Sequence, residues 1–236
     1  MQRASLAFHA VLGAAAATIG VLIYYILYVT PEAQLATGGL AQKIFYFHVP
    51  AAYAMYLSGV VCMLASAAYL VGATDRRNAW ARAGAECAVV FGLLVLVSGP
   101  LWARKAWGVY WTWDPRLTTS LLSVLVYVAV VVLRAFAGDG DAERKFAAAL
   151  GVLGTVNLPI IHYSVQKWGG NHPVVITKGG GGLADPRMGT ALGIGFLAFT
   201  LLAIVLLALR ARLALLSARV DRAEERAAAA GITEGL

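Results

Sequence analysis

A nine-residue segment, Trp107–Pro115, concentrates flat aromatic side chains beside charge. Its sequence, WGVYWTWDP, contains three tryptophans, one tyrosine and one aspartate. Basic side chains lie close by in the sequence, at Arg104, Lys105 and Arg116. Tryptophan and tyrosine collect at the depth of lipid headgroups, so an interfacial belt explains any single one of them. A belt does not require four aromatic residues within seven positions, and this density favours a ligand with a large flat face.

The spacing of these aromatic residues predicts a shared surface. Trp107 and Trp111 are four residues apart and lie on one face if the segment is helical. Tyr110 falls on the same side of such a helix, and Trp113 falls elsewhere. We therefore expect Trp107, Tyr110 and Trp111 to face the same way.

The chain has four histidines, and two of them flank the aromatic segment. His9 lies within the first apolar stretch and His162 near the end of the fifth, where a hydrogen-bonded structural role is favoured for each. His48 and His172 fall at or beyond the boundary of the apolar stretches, before and after the aromatic segment. Pro173 keeps the chain around His172 extended. Taken singly, each of this pair is more typical of a surface histidine than of a ligand.

Together these parts match the needs of one ligand, haem. Haem is a flat aromatic macrocycle with two negative propionates and two axial positions on its iron, for which imidazole is a common ligand. His48 and His172 belong to separate segments and can approach from opposite faces, while aromatic side chains cover the ring. Arg104, Lys105 or Arg116 can pair with a propionate, arginine best because its planar fork matches a carboxylate.

Asp114 has a simpler explanation than ligand binding. In WDPR, Asp114 is the predicted N-cap of a helix and Pro115 its first residue. Capping alone accounts for the aspartate, and an orienting contact to Arg116 or Trp113 is a second role that the sequence allows. The segment ADPRM predicts the same kind of cap at Asp185.

Two further helix starts are predicted in the part of the chain around His48. TPE at Thr30–Glu32 is a candidate start for a short helix. HVP puts Pro50 in the first turn of a helix, so that His48 is expected at the N-terminal end of that helix.

The elements that must position these residues are membrane-spanning helices. Hydrophobic residues make up 60% of the chain and charged residues only 13%, and the mean hydropathy is +0.73; a soluble domain carries roughly 25% charged residues. A bilayer-spanning helix needs about 20 mostly apolar residues, whereas a lone strand would leave backbone groups unpaired in lipid. Six stretches fit, at about 6–29, 49–73, 83–103, 117–137, 146–165 and 188–209. We predict an all-α, polytopic protein that forms one membrane domain over 1–236.

The distribution of lysine and arginine predicts the orientation. Cytoplasmic loops carry an excess of these residues, and here 12 of the 19 fall on one side and 7 on the other. Both termini are therefore expected in the cytoplasm, with 210–236 as a cytoplasmic tail that continues the last helix. The outer segments are then about 30–48, 104–116 and 166–187, which carry the histidine pair and the aromatic segment.

Other classes of function are disfavoured by the same residues. The net charge of +7 follows from the topology, and a nucleic-acid role would need a basic face on a soluble domain. Cys62 and Cys87 fall inside predicted helices, in no metal-binding or redox spacing, and are expected to be buried thiols. No nucleotide-binding motif is present.

Three stretches carry a resemblance to a known family. GPLWARKAWGVYWTWDPRLTT (99–119) resembles the tryptophan-rich signature of the haem-handling membrane proteins of cytochrome c maturation. KIFYFHVPAAY (43–53) and NLPIIHYSV (157–165) resemble the flanking signatures of one branch, the haem exporter protein C family (CcmC). The resemblance covers about 30–210. The tryptophan-rich segment is shared with the longer relatives CcmF and CcsA, and the short length and FHVP favour CcmC.

The resemblance implies that His48 and His172 are the axial ligands of a transiently held, non-covalent haem b. The tryptophan-rich segment would form the haem platform, facing the periplasm from a bacterial inner membrane. It implies that the chaperone CcmE bonds covalently to this haem through its own histidine, that the ATP-binding-cassette subunits CcmA and CcmB drive release, and that the small protein CcmD assists. The chain is then a haem-handling protein more than an enzyme, and its part in forming the covalent bond is left open.

One stretch departs from the family's pattern. The family usually shows a tryptophan pair and a threonine–leucine just before the second ligand histidine, whereas this chain reads SVQKWGGNHP. Two other functions also stay open. An electron-transfer cytochrome would need His9 and His162, which are expected at opposite membrane faces. A solute permease that binds no haem tends to have polar groups or broken helices near the midplane, and these stretches have few charges there.

Overall fold

Helices account for the architecture of this protein. The computed structural model describes residues 2–34, 38–136, 140–173, 175 and 183–230, and it contains no strand in these ranges. The helices are α1 (Gln2–Tyr24, continued by the π-helical turn Tyr25–Val29), α2 (Phe45–Val71, preceded by the 3-10 helix Gly39–Ile44), α3 (Asp75–Ala106), α4 (Pro115–Phe136), α5 (Asp141–Trp168) and α6 (Pro186–Ala229). All six are long and apolar enough to cross a membrane, which confirms the predicted all-α, multi-pass class.

The predicted caps of two helices are present. Asp114 Oδ1 accepts a hydrogen bond from Leu117 N at 2.9 Å at the start of α4. Asp185 Oδ1 accepts from Arg187 N at 2.8 Å at the start of α6. Each satisfies one of the backbone donors that a helix leaves unpaired at its N-terminus.

The prediction of a short helix from Thr30–Glu32 was wrong. Thr30 N and Oγ1 both donate to Tyr25 O, at 2.8 and 3.0 Å. Thr30 therefore closes the π-helical turn, and residues 31–34 have no regular structure. The short helix of this segment is the later Gly39–Ile44, which runs directly into α2. Because α2 begins at Phe45, Pro50 lies inside the helix rather than in its first turn, and His48 lies in the first turn instead.

Helix α2 is the centre of the bundle and packs against α3, α5 and α6, while α1 packs on α6 and α4 lies between α3 and α5. Small residues allow the closest approaches, as is common where helices pack in membranes. A Cβ built on Gly84 of α3 would lie 2.5 Å from Cys62 N of α2. The α2–α3 contact therefore has no room for a side chain at position 84.

The two ends of the bundle differ in chemistry. At one end, Glu86 accepts from Arg82 and Arg210 at 3.0 and 2.6 Å, and Asp75 pairs with Arg144 and Arg222. At the other end, the described parts of the segments 30–44, 107–114 and 169–185 meet; 35–37, 174 and 176–182 lie outside the described residues. The three outer segments of the sequence prediction thus share one end of the bundle.

Candidate functional site

A cavity of about 480 Å³ opens at the end of the bundle where these segments meet. Its size falls in the range of small-molecule and cofactor sites, roughly 300–1,000 Å³. Apolar residues from α2, α3, α4, α5 and α6 form most of its wall. The polar and aromatic residues that line it are Gln42, Phe45, His48, Tyr53, Tyr56, Trp102, Trp107, Trp111, Arg116, Ser120, His162, Gln166, His172 and Phe196.

His48 reaches the cavity from the first turn of α2. Its Nδ1 lies 2.9 Å from Ser98 Oγ on α3. A Cβ built on the neighbouring Gly99 would lie 3.2 Å from His48 Cε1, so the imidazole lies close against the backbone of α3. One wall of the site is therefore a histidine held between two packed helices.

His172 reaches the same cavity from the segment after α5. Its Nδ1 lies 3.2 Å from Arg116 Nη1 and 3.0 Å from Pro173 O. Burial, and then the positive charge of Arg116, lower the pKa of His172 from its ordinary 6.5 to about 4, against the opposing effect of the Pro173 contact. A pKa in this range leaves the imidazole neutral at pH 7, which is the form that binds a metal.

Arg116 is held in place by carbonyls of α5. Its Nε donates to Ile161 O at 3.2 Å and its Nη2 to His162 O at 2.8 Å. These contacts aim the guanidinium at the cavity and at His172. Arg116 is thus the basic residue, among the three near the aromatic segment, that lines the cavity.

Arg104 points elsewhere. It donates to Gly108 O, and its guanidinium lies 5.7 Å from the centre of the Tyr110 ring. Neither Arg104 nor Tyr110 lines the cavity, and Tyr110 is 58% exposed.

The aromatic segment is not helical, so the prediction that Trp107, Tyr110 and Trp111 share one face of a helix was wrong. Helix α3 ends at Ala106, and Gly108 turns the chain with φ +78°. Trp107 and Trp111 nevertheless both line the cavity. Trp113 stands edge-on to Trp111, with ring centres 5.7 Å apart, and is 76% exposed outside the cavity.

Asp114 lies beside the loop that carries His172. Its side chain is only 8% exposed; Oδ1 caps α4, and Oδ2 is buried without a hydrogen-bond partner. A Cβ built on Gly170 would lie 3.2 Å from Oδ2, and Gly170 has φ +141°. Gly170 thus lets the chain pass close to Asp114, whereas a Cβ on Gly169 would meet nothing within 4 Å. Among the described contacts, no hydrogen bond or ion pair joins Asp114 to Arg116 or Trp113.

The remaining histidines and the cysteines occupy different places. His9 lies near the start of α1, towards the end of the bundle away from the cavity, with its ring edge-on to Phe8. His162 lines the cavity, although the sequence predicted a supporting role for it. Cys62 and Cys87 are buried and free, as predicted.

Two residues that matter to the site were missed by the sequence reasoning. Trp102 lines the cavity and stands edge-on to Trp107, with ring centres 5.3 Å apart. Ser98 contacts His48. The two are four residues apart on α3, and this helical spacing was a signal that both face the same site.

Comparisons with known proteins agree on one family. The family model described as Heme exporter protein C matches residues 1–226. A Heme exporter protein C of Bradyrhizobium diazoefficiens is 36% identical over 170 residues, which cover 71% of this chain and 64% of that protein. The Escherichia coli K12 protein of the same name is 35% identical over 179 residues, 74% of this chain and 70% of its own length. The Paracoccus denitrificans protein is 31% identical over 158 residues, covering 67% and 64%.

Proposed function

Because the chain belongs to the Heme exporter protein C family, we propose that it takes part in cytochrome c maturation by binding haem between His48 and His172. Haem would be the protein's cargo, a non-covalent haem b that the protein holds transiently and presents for covalent transfer to the chaperone CcmE.

The observation that carries the proposal is that two histidines from separate segments line one cavity. His48 comes from α2 and His172 from the segment after α5, so the two imidazoles belong to different walls. Imidazole is a common axial ligand of haem iron. Trp107 and Trp111 add flat apolar surface to the same cavity, and such rings stack favourably on a macrocycle.

The polar groups of the cavity fit the propionates. Arg116 lines the cavity with its guanidinium, which matches a carboxylate in two parallel hydrogen bonds. Trp111 Nε1 is buried without a hydrogen-bond partner among the described residues. An indole N–H can only donate, so a ligand with acceptor oxygens would satisfy it.

The proposed partners follow from the family and from what the chain lacks. No nucleotide-binding motif occurs in the sequence, so energy for release is assigned to the subunits CcmA and CcmB. The small protein CcmD completes the proposed assembly. We place the protein in a bacterial inner membrane with the cavity facing the periplasm, because basic residues are in excess at the opposite end.

Haem content and chaperone loading test the function together. Protein purified in detergent from haem-producing cells should show a two-histidine haem spectrum, and CcmE expressed with it should acquire covalent haem. His48→Gly and His172→Gly should each lose both properties, while His9→Gly keeps both. A colourless wild-type protein would contradict the proposal and favour a permease, and a haem-bound protein that never loads CcmE would favour an electron-transfer cytochrome.

Orientation is tested separately by cysteine labelling. Ala106 at the cavity end and Ala228 near the end of α6 are both exposed, and the native cysteines are buried. An impermeant thiol reagent added to intact cells should label Ala106→Cys and leave Ala228→Cys unlabelled. The reverse pattern would put the cavity on the cytoplasmic side.

A further inference from the structure

Ser98 makes two contacts that together fix where its proton lies. Its Oγ lies 2.5 Å from Leu94 O, one turn earlier in α3, and 2.9 Å from His48 Nδ1 on α2. A carbonyl oxygen only accepts hydrogen bonds, and a serine hydroxyl has a single proton to donate. The Ser98 proton is therefore directed to Leu94 O, and the lone pairs of Oγ are left for His48.

The proton on His48 follows from this arrangement. Because Ser98 Oγ can only accept from the imidazole, Nδ1 of His48 must carry the hydrogen and donate it. In a neutral imidazole the other nitrogen, Nε2, then has a free lone pair. Histidines that bind metals usually donate their second ring N–H in this way to a neighbouring acceptor, which fixes the tautomer and the orientation of the ring.

The backbone beside Ser98 holds the same edge of the ring. A Cβ on Gly99 would lie 3.2 Å from His48 Cε1 and 3.8 Å from Nδ1. The Nδ1–Cε1 edge of the imidazole thus lies close against two successive residues of α3. Helices α2 and α3 pack closely on each other, so the ring is positioned by two packed helices.

We propose that Ser98 is a positioning residue that holds His48 as the Nδ1–H tautomer and so keeps Nε2 free for haem iron. This inference rests on the proposed function, because it assigns a purpose to the contact only if His48 binds haem. It adds to that function a residue of α3 which lies outside the aromatic segment and contacts His48 without lining the cavity.

A purely structural role is the alternative, since serine and threonine in helices often bond the carbonyl four residues earlier. Ser58 does so with Ala54 O at 2.8 Å, and no described hydrogen bond joins it to a histidine. Ser58→Ala is therefore a matched control for the loss of such a hydroxyl. The hydroxyls of Thr119 and Thr200 likewise donate to the carbonyl four residues earlier, at 2.6 Å. Ser98→Thr should therefore keep the hydroxyl directed at Leu94 O, and it serves as the conservative variant.

The first test needs no haem. The ¹⁵N shifts of histidine-labelled, haem-free protein distinguish Nδ1–H from Nε2–H tautomers, and only four histidines must be assigned. Wild type, Ser98→Thr and Ser58→Ala should show His48 as the Nδ1–H form. Ser98→Ala should show a mixture of tautomers at His48. An unchanged Nδ1–H form in Ser98→Ala would overturn the proposal whether or not the protein binds haem.

The second test uses small imidazoles in place of the side chain. In His48→Gly, free imidazole can bind iron and donate its second N–H to Ser98, whereas 1-methylimidazole has no such hydrogen. We expect imidazole to bind more tightly than 1-methylimidazole, and expect Ser98→Ala to reduce this preference by about tenfold, the lower end of the 10- to 100-fold effects of such partners. In His172→Gly the preference should not depend on Ser98.

The outcomes separate this inference from the proposed function. If the imidazole preference in His48→Gly is the same with and without Ser98, the positioning role is wrong while haem ligation by His48 stands. If His48→Gly keeps an unaltered haem spectrum, His48 is not a ligand, and the purpose assigned to Ser98 falls with the ligand assignment.

Discussion

The two candidate ligand histidines are held in opposite ways. His48 belongs to a helix and is contacted by Ser98 and Gly99 of a second helix. His172 belongs to a segment without regular structure and is contacted by the Arg116 side chain and by Pro173 O. One side of the site is therefore built into the helix packing, and the other depends on a loop.

The two histidines also differ in the hydrogen-bond partners of Nδ1. At His48 the partner of Nδ1 is an acceptor, which agrees with Nε2 binding iron. At His172 a donor, Arg116, and an acceptor, Pro173 O, both lie within reach of Nδ1, and one nitrogen cannot satisfy both at once. Iron bound to Nε2 would require the Pro173 contact and would free the Arg116 donor for a propionate. Under the proposed function, the His48 side would therefore be ready for haem before it binds, whereas the His172 side would be completed only when haem binds.

Removing either histidine is expected to have the largest effect. His48→Gly and His172→Gly should each lose the two-histidine spectrum, because each removes one nitrogen from iron. Imidazole should restore the spectrum at millimolar concentration or above, since it lacks the effective concentration that the tether provides. The imidazole concentration that restores half of the spectrum should be lower for His48→Gly, because the gap left in that variant has fixed walls on α3. Absorbance titration with imidazole measures this concentration for each variant.

The third histidine of the cavity is the control for this assignment. His162→Gly should keep the spectrum, because His162 lines the cavity but is not one of the two proposed ligands. If His162→Gly loses the spectrum and regains it with imidazole while His172→Gly stays normal, the second ligand is misassigned.

Removing Arg116 is expected to have the next largest effect. Arg116→Gln loses the charge-assisted hydrogen bonds to α5 and the partner of a propionate, and such bonds contribute about 1.5–3 kcal/mol each. Haem affinity should fall by at least tenfold, at about 1.4 kcal/mol per factor of ten. Arg104→Gln is the matched control and should change affinity by less than about twofold, since contacts of exposed charges contribute little.

The same variant should change the titration of His172. The positive charge of Arg116 helps to lower the pKa of His172 to about 4, so its removal should raise that pKa. Burial, the larger cause, remains, and the pKa should stay below 6.5. Because only the neutral imidazole binds iron, the variant should lose haem at a higher pH than wild type as the solution is acidified. NMR titration of the haem-free protein measures the shift, and an unchanged or lower pKa would refute the electrostatic role of Arg116.

A glycine in the loop should affect only the His172 side. Gly170→Ala places a methyl group about 3.2 Å from Asp114 Oδ2 at a φ of +141°, and such backbone strain costs about 1–3 kcal/mol. Haem affinity should fall by roughly tenfold while the His48 tautomer stays unchanged. Gly189→Ala, whose Cβ would meet nothing within 4 Å, should be neutral. Equal losses in both variants would mean that the loop does not position His172.

The helices were predictable because their causes are local. Six apolar stretches of sufficient length specify six helices in lipid, and Asp114 and Asp185 mark two of their starts through capping. A start without such a signal was missed: α2 begins at Phe45 with no side-chain cap, before residue 49, where the predicted span begins. The continuation of α6 to Ala229 agrees with the predicted helical tail after residue 209.

The site was predictable only in part, since its loops are shaped by distant contacts. Helical spacing placed Trp107 and Trp111 together for the wrong reason, because the chain leaves the helix before Trp107. Gly108 was a signal of that break. Arg116 lines the cavity and Arg104 does not, because two carbonyls of α5 hold the Arg116 side chain. These carbonyls lie 45 and 46 positions away along the chain, so no local sequence pattern could predict the contact.

The smallest expected effects belong to the tryptophans. Stacking of an aromatic ring contributes about 0.5–1.5 kcal/mol beyond its area burial, which is roughly 2- to 12-fold in affinity. Trp107→Ala and Trp111→Ala should each weaken haem retention within this range, because both rings line the cavity. Trp113→Ala should change it by less than about twofold, because Trp113 is exposed and contacts the edge of Trp111.

Competition with a haem acceptor such as apomyoglobin measures the three losses. The triple variant should lose more than any single variant, although Trp111 and Trp113 are in contact and their effects need not multiply. If it keeps full haem retention and chaperone loading, the segment is only an interfacial belt and the two histidines hold haem without it. If Trp113→Ala loses the most, haem lies outside the cavity, against the exposed side of the segment, and the contrast between a preformed His48 side and a completed His172 side fails with it.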